Sequence, residues 1–279
     1  MPAAARVEAA LGQAPRALRP LSGGCVGDVF RAEMADGDLV VKLGQAGSQL
    51  DLEGWMLEVL AGADLPVPEV VHAADDILIM TYIEGGGALD ARAEAHAAEL
   101  IAALHENTAD SFGLERDTLI GGLHQPNPPA EKWIPFFRDQ RLLYMGCQAL
   151  DAGRLPGSVF ARLETLAGQL ERWLTEPRPA LIHGDLWGGN VLAASGRISG
   201  FIDPAIYYAD AEIELAFSTL FNTFGKAFFS HYNELRPLAP GFFEERRDLY
   251  NLYPLLVHVR LFGGGYVGSV ERTLKRFGV

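Results

Sequence analysis

Residues 181–203 read LIHGDLWGGNVLAASGRISGFID. Short apolar runs (LI, VL, ISGFI) alternate with polar breaks, a pattern of short strands joined by a loop and a hairpin. The first break carries His183, Asp185 and Asn190, and Asp203 closes the hairpin that follows. An aspartate and an asparagine five residues apart on one loop can point into one cleft, and a second aspartate at the end of the next hairpin can join them. Phosphoryl transfer uses such a set. One carboxylate accepts or orients the attacking hydroxyl. An amide oxygen and another carboxylate hold Mg²⁺, a hard cation that takes oxygen ligands and shares them with phosphates. A polar surface loop with a capping aspartate and an asparagine turn has the same local pattern. The flanking apolar strands favour the catalytic reading.

Upstream, residues 21–84 look strand-rich. Ser22-Gly23-Gly24-Cys25-Val26-Gly27 reads as a turn between strands, where glycines let backbone N–H groups approach phosphate closely. An extended segment at 28–34 leads to Asp36-Gly37, a hairpin signal, and LVVKL at 39–43 is the return strand. Lys42 in that strand follows the glycine turn by one hairpin, where an ammonium reaches nucleotide phosphates. A helix is predicted over 49–60, stopped by Pro66 and Pro68, and its Glu53 is positioned to pair with Lys42. Further strands are predicted at 70–71 and 77–83. Gly85-Gly86-Gly87 then reads as a hinge. The chain divides on this reading into residues 1–84 and residues 85–279.

Beyond the hinge the apolar period becomes helical. Ala97, Leu100, Ile101 and Leu104 form one stripe, and Val159, Leu163, Leu166, Leu170 and Trp173 another. Ile213, Phe217, Leu220, Phe221 and Phe224 form a third, and Leu249, Leu252, Tyr253 and Leu256 a fourth.

Composition narrows the function classes. With 279 residues, 49% hydrophobic and 21% charged, the chain is long enough to bury a large core without disulfide or metal staples. A net charge of −13, from 23 basic and 36 acidic residues, argues against general nucleic-acid binding. No apolar run reaches membrane-span length, and the first twenty residues lack the apolar core of a signal peptide, so a cytoplasmic location is expected. Two cysteines, Cys25 and Cys147, are too few for a disulfide framework. Cys147 reads as a buried small hydrophobe. Cys25, inside the glycine turn, is a candidate redox-sensitive thiol or an ordinary small residue.

The order glycine turn, strand lysine, helix glutamate, hinge, aspartate/asparagine loop, metal aspartate resembles the protein-kinase-like fold, in particular its small-molecule branch. Gly184 stands where protein kinases carry the arginine of H-R-D. Asp203 is followed by Pro204-Ala205 rather than Phe-Gly, so activation-loop control is not indicated. The closer resemblance is to the fructosamine kinase, or ketosamine-3-kinase, family. It runs from about residue 21 to 277, on GGCVGDVFRAE at 23–33, IGGLHQPNPPAEKWIPFFRDQRL at 120–142, LIHGDLWGGNVL at 181–192, FIDPAIYYADAEIELAFSTLF at 201–221 and LYPLLVHVRLFGGGY at 252–266. That family phosphorylates the O3 hydroxyl of ketoamines, the adducts of sugars with amines, and the product releases the free amine.

The resemblance implies an α+β, two-lobed enzyme. A small N-lobe holds an antiparallel sheet and one helix, and a larger, mainly helical C-lobe follows. ATP and Mg²⁺ would be its cofactors. Asp185 would be the catalytic base, with Asn190 and Asp203 as metal ligands. Lys42, supported by Glu53, would contact phosphates under the turn at Gly23, Gly24 and Gly27. The segment Met80 to Glu84, including Tyr82, would receive adenine through backbone groups. Trp187 is a candidate platform for the sugar or its attached group, or else packs beneath the loop. Gln125 is a candidate substrate contact. His258 either reaches the substrate cleft or is a satisfied core histidine, and His183 braces the loop. Glu214 stands in for an aspartate common in the family. Leu123-His124 departs from the pattern before Gln125, which bears on substrate preference. The expected substrate is a free or protein-linked ketoamine, handled by a monomer or homodimer without nucleic-acid or membrane partners. Two other readings remain: a kinase of the same fold acting on an aminoglycoside or amino alcohol, and a nucleotide-binding pseudokinase.

Overall fold

The computed structural model describes residues 1–21 and 27–279. Residues 17–81 form a five-stranded antiparallel sheet from β1 (Ala17–Pro20), β2 (Asp28–Glu33), β3 (Asp38–Leu43), β4 (Val70–Ala74) and β5 (Ile77–Thr81), in the order β1-β2-β3-β5-β4. Period-two alternation decides what each face meets. Val41, Leu43, Ile77 and Ile79 pack with Val7 of helix α1 (Ala3–Leu11) on one face. Leu78 and Met80 pack with Leu50 and Leu57 of helix α2 (Leu50–Gly62) on the other. Lys42 lies one residue out of step with Val41 and so projects to the α2 side, where Glu53 sits.

One helix is expected in this lobe, and its described residues form two. Helix α1 covers the sheet face opposite α2, and β1 adds an edge strand closed by Pro20, which an edge tolerates because no ladder donor is needed there. Arg6 of α1 fixes the packing by donating to the carbonyls of Gly44 (3.1 Å) and Asp76 (2.6 Å).

The second lobe begins with α3 (Ala91–Leu104), whose first turn is capped by Asp90. Its Oδ1 accepts the N–H groups of Arg92 and Ala93 at 3.0 and 2.9 Å, an arrangement worth about 1 kcal/mol. A small hairpin of β6 (Thr118–Ile120) and β7 (Leu123–Gln125) follows. Next come α4 (Trp133–Phe136), a wider π-type stretch over Phe137–Leu143, α5 (Tyr144–Asp151) and α6 (Gly157–Ala167). After residue 210 come α7 (Ala211–Leu220), α8 (Lys226–Leu235), α9 (Arg247–Tyr250), α10 (Leu252–Phe262) and α11 (Gly265–Arg276). The predicted stripes face inward: Ala97, Ile101, Leu163, Leu166, Leu252 and Leu256 are all buried. Phe221 is not; it lies just past the end of α7 and is 37% exposed. Cys147 is also exposed, on α5, where its thiol faces Asp151 at 3.7 Å. No helix among the described residues is long and apolar enough to cross a membrane.

Two short ladders position the loops between them. β8 (Ala180–Ile182) pairs antiparallel with β11 (Tyr207–Ala209), and β9 (Val191–Ala194) pairs with β10 (Arg197–Phe201). The loop 183–190 runs from β8 to β9, and the loop 202–206 runs from β10 back to β11. Backbone bonds from Ile202 N–H to the Asn190 carbonyl (3.1 Å) and from Ala205 N–H to the His183 carbonyl (2.8 Å) tie these loops side by side. The same unit is tied to the first lobe by Phe201 N–H to the Pro66 carbonyl (2.8 Å) and Ser199 Oγ to the Glu84 carbonyl (2.6 Å).

Candidate active site

The loop 183–190 is braced before it can act. His183 is fully buried. It accepts the Asp185 N–H on Nδ1 (3.3 Å) and donates from Nε2 to the Ile202 carbonyl (3.1 Å), which fixes the neutral tautomer with the proton on Nε2. Burial pushes its pKa down, as a neutral bracing role requires. Gly184 turns the chain with φ of 84°, and any Cβ there would overlap the Ala205 carbonyl.

Asp185 follows in the space this turn opens. Asn190 Nδ2 donates to its Oδ2 at 2.8 Å and to its backbone carbonyl at 2.9 Å. Burial, with the negative charges of Asp203 and Glu214 nearby, pushes the Asp185 carboxyl up to about 7.

Asp203 arrives from the neighbouring loop with φ of 54°, an uncommon conformation for a residue with a side chain. Its carboxylate is paired with Lys42, which also pairs with Glu53 at 2.5 Å. Burial alone would lower the Lys42 pKa, but the two carboxylates outweigh it and hold the ammonium charged. The pair to Asp203 joins the lobes across 161 residues of sequence.

The donor set fits Mg²⁺. Asn190 spends its amide hydrogens on Asp185, and its carbonyl oxygen has no partner among the described residues. Asp203 adds carboxylate oxygen, and its charge is shared with Glu53 across the Lys42 ammonium. Mg²⁺ is commonly held by one or two protein oxygens together with substrate phosphates. No larger cluster of acidic, histidine and cysteine ligands occurs among the described residues.

Glu214 of α7 lies under the loop, 2% exposed. Its Oε2 accepts the Gly184 N–H at 2.7 Å and its Oε1 faces His105 Nε2 at 2.9 Å, while His105 Nδ1 meets the Tyr232 hydroxyl at 2.7 Å. His105 and Tyr232 were not singled out in the sequence. They lie 109 and 18 residues from Glu214, and no local spacing links them. Asp210 caps α7 by accepting the Glu212 N–H at 3.0 Å, and its other oxygen accepts the Tyr250 hydroxyl at 2.5 Å. Burial pushes Asp210 up to about 6.

Asp185 and Glu214 open onto a recess that is otherwise mainly apolar, lined by Tyr207, Phe217, Tyr253 and His258 among others. Gln125 does not line it. It is fully buried, donates to Thr118 Oγ1 (2.8 Å) and the Ala205 carbonyl (3.0 Å), and accepts the Tyr253 hydroxyl (2.6 Å). Every polar atom of its amide is engaged within the fold, so Gln125 lies behind the recess, bonded to Tyr253 of its lining. Arg141, within the same motif, also lies behind the recess rather than in its lining. It is fully buried against the Tyr207 ring at 3.8 Å and bonds Asn127 Oδ1 at 2.6 Å. Trp187 is 40% exposed and does not pack beneath the loop; its ring stands edge-on to Phe221 at 6.1 Å. His258 lines the recess and donates from Nδ1 to the Pro254 carbonyl at 2.7 Å.

The expected adenine segment narrows. Met80 lies inside the ladder between Val40 and Val70, with its side chain in the α2 core. The Tyr82 N–H is taken by the Asp38 carbonyl at 3.2 Å, and its ring lies under the Arg31 guanidinium at 4.0 Å. Glu84 is exposed at the outer mouth beside Arg31 and Asp38. Ile83 N–H carries no backbone bond among the described residues. Gly27 (φ 75°) abuts the Leu43 carbonyl. Gly23, Gly24 and Cys25 lie outside the described residues.

Fold and site together define an ATP-dependent phosphotransferase of the protein-kinase-like architecture, acting on a hydroxyl group. The chain belongs to the fructosamine kinase family, whose model matches residues 3–277. A Synechocystis relative named as a probable ketoamine kinase is 34% identical over 270 residues, covering 92% of this chain and 89% of its own. A solved structure from Thermobifida fusca, described as a candidate fructosamine-3-kinase, superposes with a TM-score of 0.87 at 32% identity, over 99% of both chains. The fold extends to an aminoglycoside phosphotransferase solved with AMP-PNP and hygromycin B, with a TM-score of 0.73 at 16% identity, over 100% of this chain and 99% of that one.

Proposed function

We propose that this chain transfers the γ-phosphoryl group of ATP to the O3 hydroxyl of ketoamines, with Mg²⁺ as cofactor. The observation that carries the reading is the junction of Lys42, Asp203, Asn190 and Asp185, one continuous set drawn from both lobes. Asp185 takes the proton from the sugar hydroxyl as it attacks. A carboxyl raised to about 7 is better matched to that transfer than an ordinary aspartate. Asn190 orients Asp185 through Nδ2, and its carbonyl oxygen, with the Asp203 carboxylate, would hold the metal. Bound Mg²⁺ would neutralise charge on the phosphate oxygens. Lys42 contacts the phosphates, held in place by Glu53. Ile83 N–H is the hinge donor best suited to adenine, since Tyr82 N–H is already engaged. Glu214, His105 and Gln125 keep the loop in register. Catalysis then rests on positioning and charge neutralisation.

The test is Mg²⁺-dependent ATP consumption against ribulose-lysine, fructose-lysine, an aminoglycoside and choline, with Asp185→Ala beside the wild type. Turnover of a ketoamine, lost in the variant, supports the proposal. Turnover only of another alcohol keeps the phosphotransferase and removes the ketoamine.

A further inference from the structure

Large exposed hydrophobic side chains are scattered over most of this surface, but three of them stand together. Trp187 (40% exposed), Phe221 (37%) and Phe262 (58%) belong to one continuous aromatic run. Ring centroids step 6.1 Å from Trp187 to Phe221, 5.0 Å from Phe221 to His258 and 5.7 Å from His258 to Phe262, with Tyr266 4.9 Å from His258. The run is continuous with the catalytic recess, because His258 lines that recess with Asp185, and Phe217, another lining residue, lies 6.0 Å from Phe221. A contiguous exposed apolar strip of this kind marks a binding surface, whereas single exposed hydrophobes do not.

We infer that this aromatic wall seats the amine-borne substituent of the ketoamine and selects apolar, especially aromatic, substituents over acidic ones. The inference rests on the ketoamine reading above. A ketoamine with its O3 at Asp185 has two ends, and the end bearing the amine has to lead toward solvent whenever the amine belongs to anything larger than the sugar. The wall is the apolar path that leaves the recess in that direction. His258 stands where the path begins. With Nδ1–H given to the Pro254 carbonyl, its Nε2 is an acceptor with no partner among the described residues, suited to a secondary ammonium. Aromatic faces beyond it accept rings and aliphatic stems. No lysine or arginine lines the recess, whose charged groups are the carboxylates Asp185 and Glu214. A carboxylate on the amine would therefore enter without a counter-charge, on a chain of net charge −13.

The experiment compares three adducts of one sugar, ribulose or fructose, whichever turns over faster: those of phenethylamine, n-propylamine and glycine. The phenethylamine adduct is expected to exceed the propylamine adduct in kcat/KM by about ten-fold, the effect of burying roughly 55 Å² of apolar surface, and to do so through KM. The glycine adduct is expected to be poorest. Phe262→Ser, at an exposed position, brings the phenethylamine advantage down several-fold, while Phe243→Ser, an exposed phenylalanine elsewhere, leaves it intact. Equal kcat/KM across the three amines, with brisk turnover, would overturn this inference and leave the ketoamine reading standing. Absence of ketoamine turnover beside turnover of an aminoglycoside would remove both. A wild-type dimer that Phe262→Ser converts to monomer, with amine preference unchanged, would assign the wall to self-association and overturn the inference.

Discussion

Glu214 Oε2 accepts the Gly184 N–H at 2.7 Å, so the residue preceding the candidate base hangs from a helix rather than from its own loop. The other oxygen of the same carboxylate faces His105, which in turn meets Tyr232. All three side chains are essentially without solvent contact. Buried polar groups in such a chain cost about 1–3 kcal/mol each when a partner is removed. His105→Ala strands both Glu214 Oε1 and the Tyr232 hydroxyl. We expect it to lower Tm by several degrees, and kcat with it, in thermal melts and steady-state assays run on the same preparation. Unchanged Tm would show that the relay carries no structural load.

Lys42 stands between Glu53 and Asp203. Lys42→Ala leaves two enclosed carboxylates facing each other without the ammonium and, on the proposed reading, removes a phosphate contact. A fall in kcat/KM for ATP of about 10²-fold or more is expected, the scale lost when one preorganised electrostatic contact is removed. Glu53→Gln keeps the hydrogen bond and should be milder. Initial rates at varied ATP decide it, and equal losses in the two variants would contradict this ordering.

Gln125 separates support from contact. Gln125→Ala frees the Tyr253 hydroxyl and the Ala205 carbonyl, so stability should fall by about 1–3 kcal/mol. The ratio of kcat/KM between two ketoamines should stay where it was. A shift in that ratio would return Gln125 to the substrate.

His183 ties stability to pH. Its folded pKa lies below the ordinary histidine value of about 6.5 because burial disfavours the charged ring. Above 6.5 both folded and unfolded chains hold it neutral, and its contribution is complete. As pH falls below 6.5 the unfolded chain binds a proton that the folded chain refuses, and stability is lost at up to about 1.4 kcal/mol per pH unit. Denaturant melts from pH 7.5 to 5.5 should show a steeper decline for wild type than for His183→Gln. Parallel declines would mean that other groups govern the acid limb.

Much of this was legible from local pattern. The β2–β3 hairpin with Lys42 on its return strand, and Asp185, Asn190 and Asp203 on neighbouring loops, follow from turn chemistry and spacing. What stayed hidden has physical reasons. Helix α1 buries only Val7 fully, too little to mark a stripe in an alanine-rich segment. His105, Tyr232 and Arg141 do their work through partners far away in sequence, and a buried polar side chain reads like a surface one until the fold closes over it. Cys147 lies on the outer side of its helix, which hydrophobicity alone does not reveal. Gln125 reads as a candidate substrate contact from its motif, and its inward direction is set by Tyr253, 128 residues later.

Gly184 occupies the position where protein kinases keep the arginine of H-R-D. Here the backbone is left-handed and the Ala205 carbonyl fills the volume a side chain would need. Replacing this glycine by arginine would disrupt the loop before the new guanidinium could sense anything. An arginine that reads a phosphorylated loop is thus out of reach of a single substitution here, because the turn at 203–206 would have to be rebuilt first.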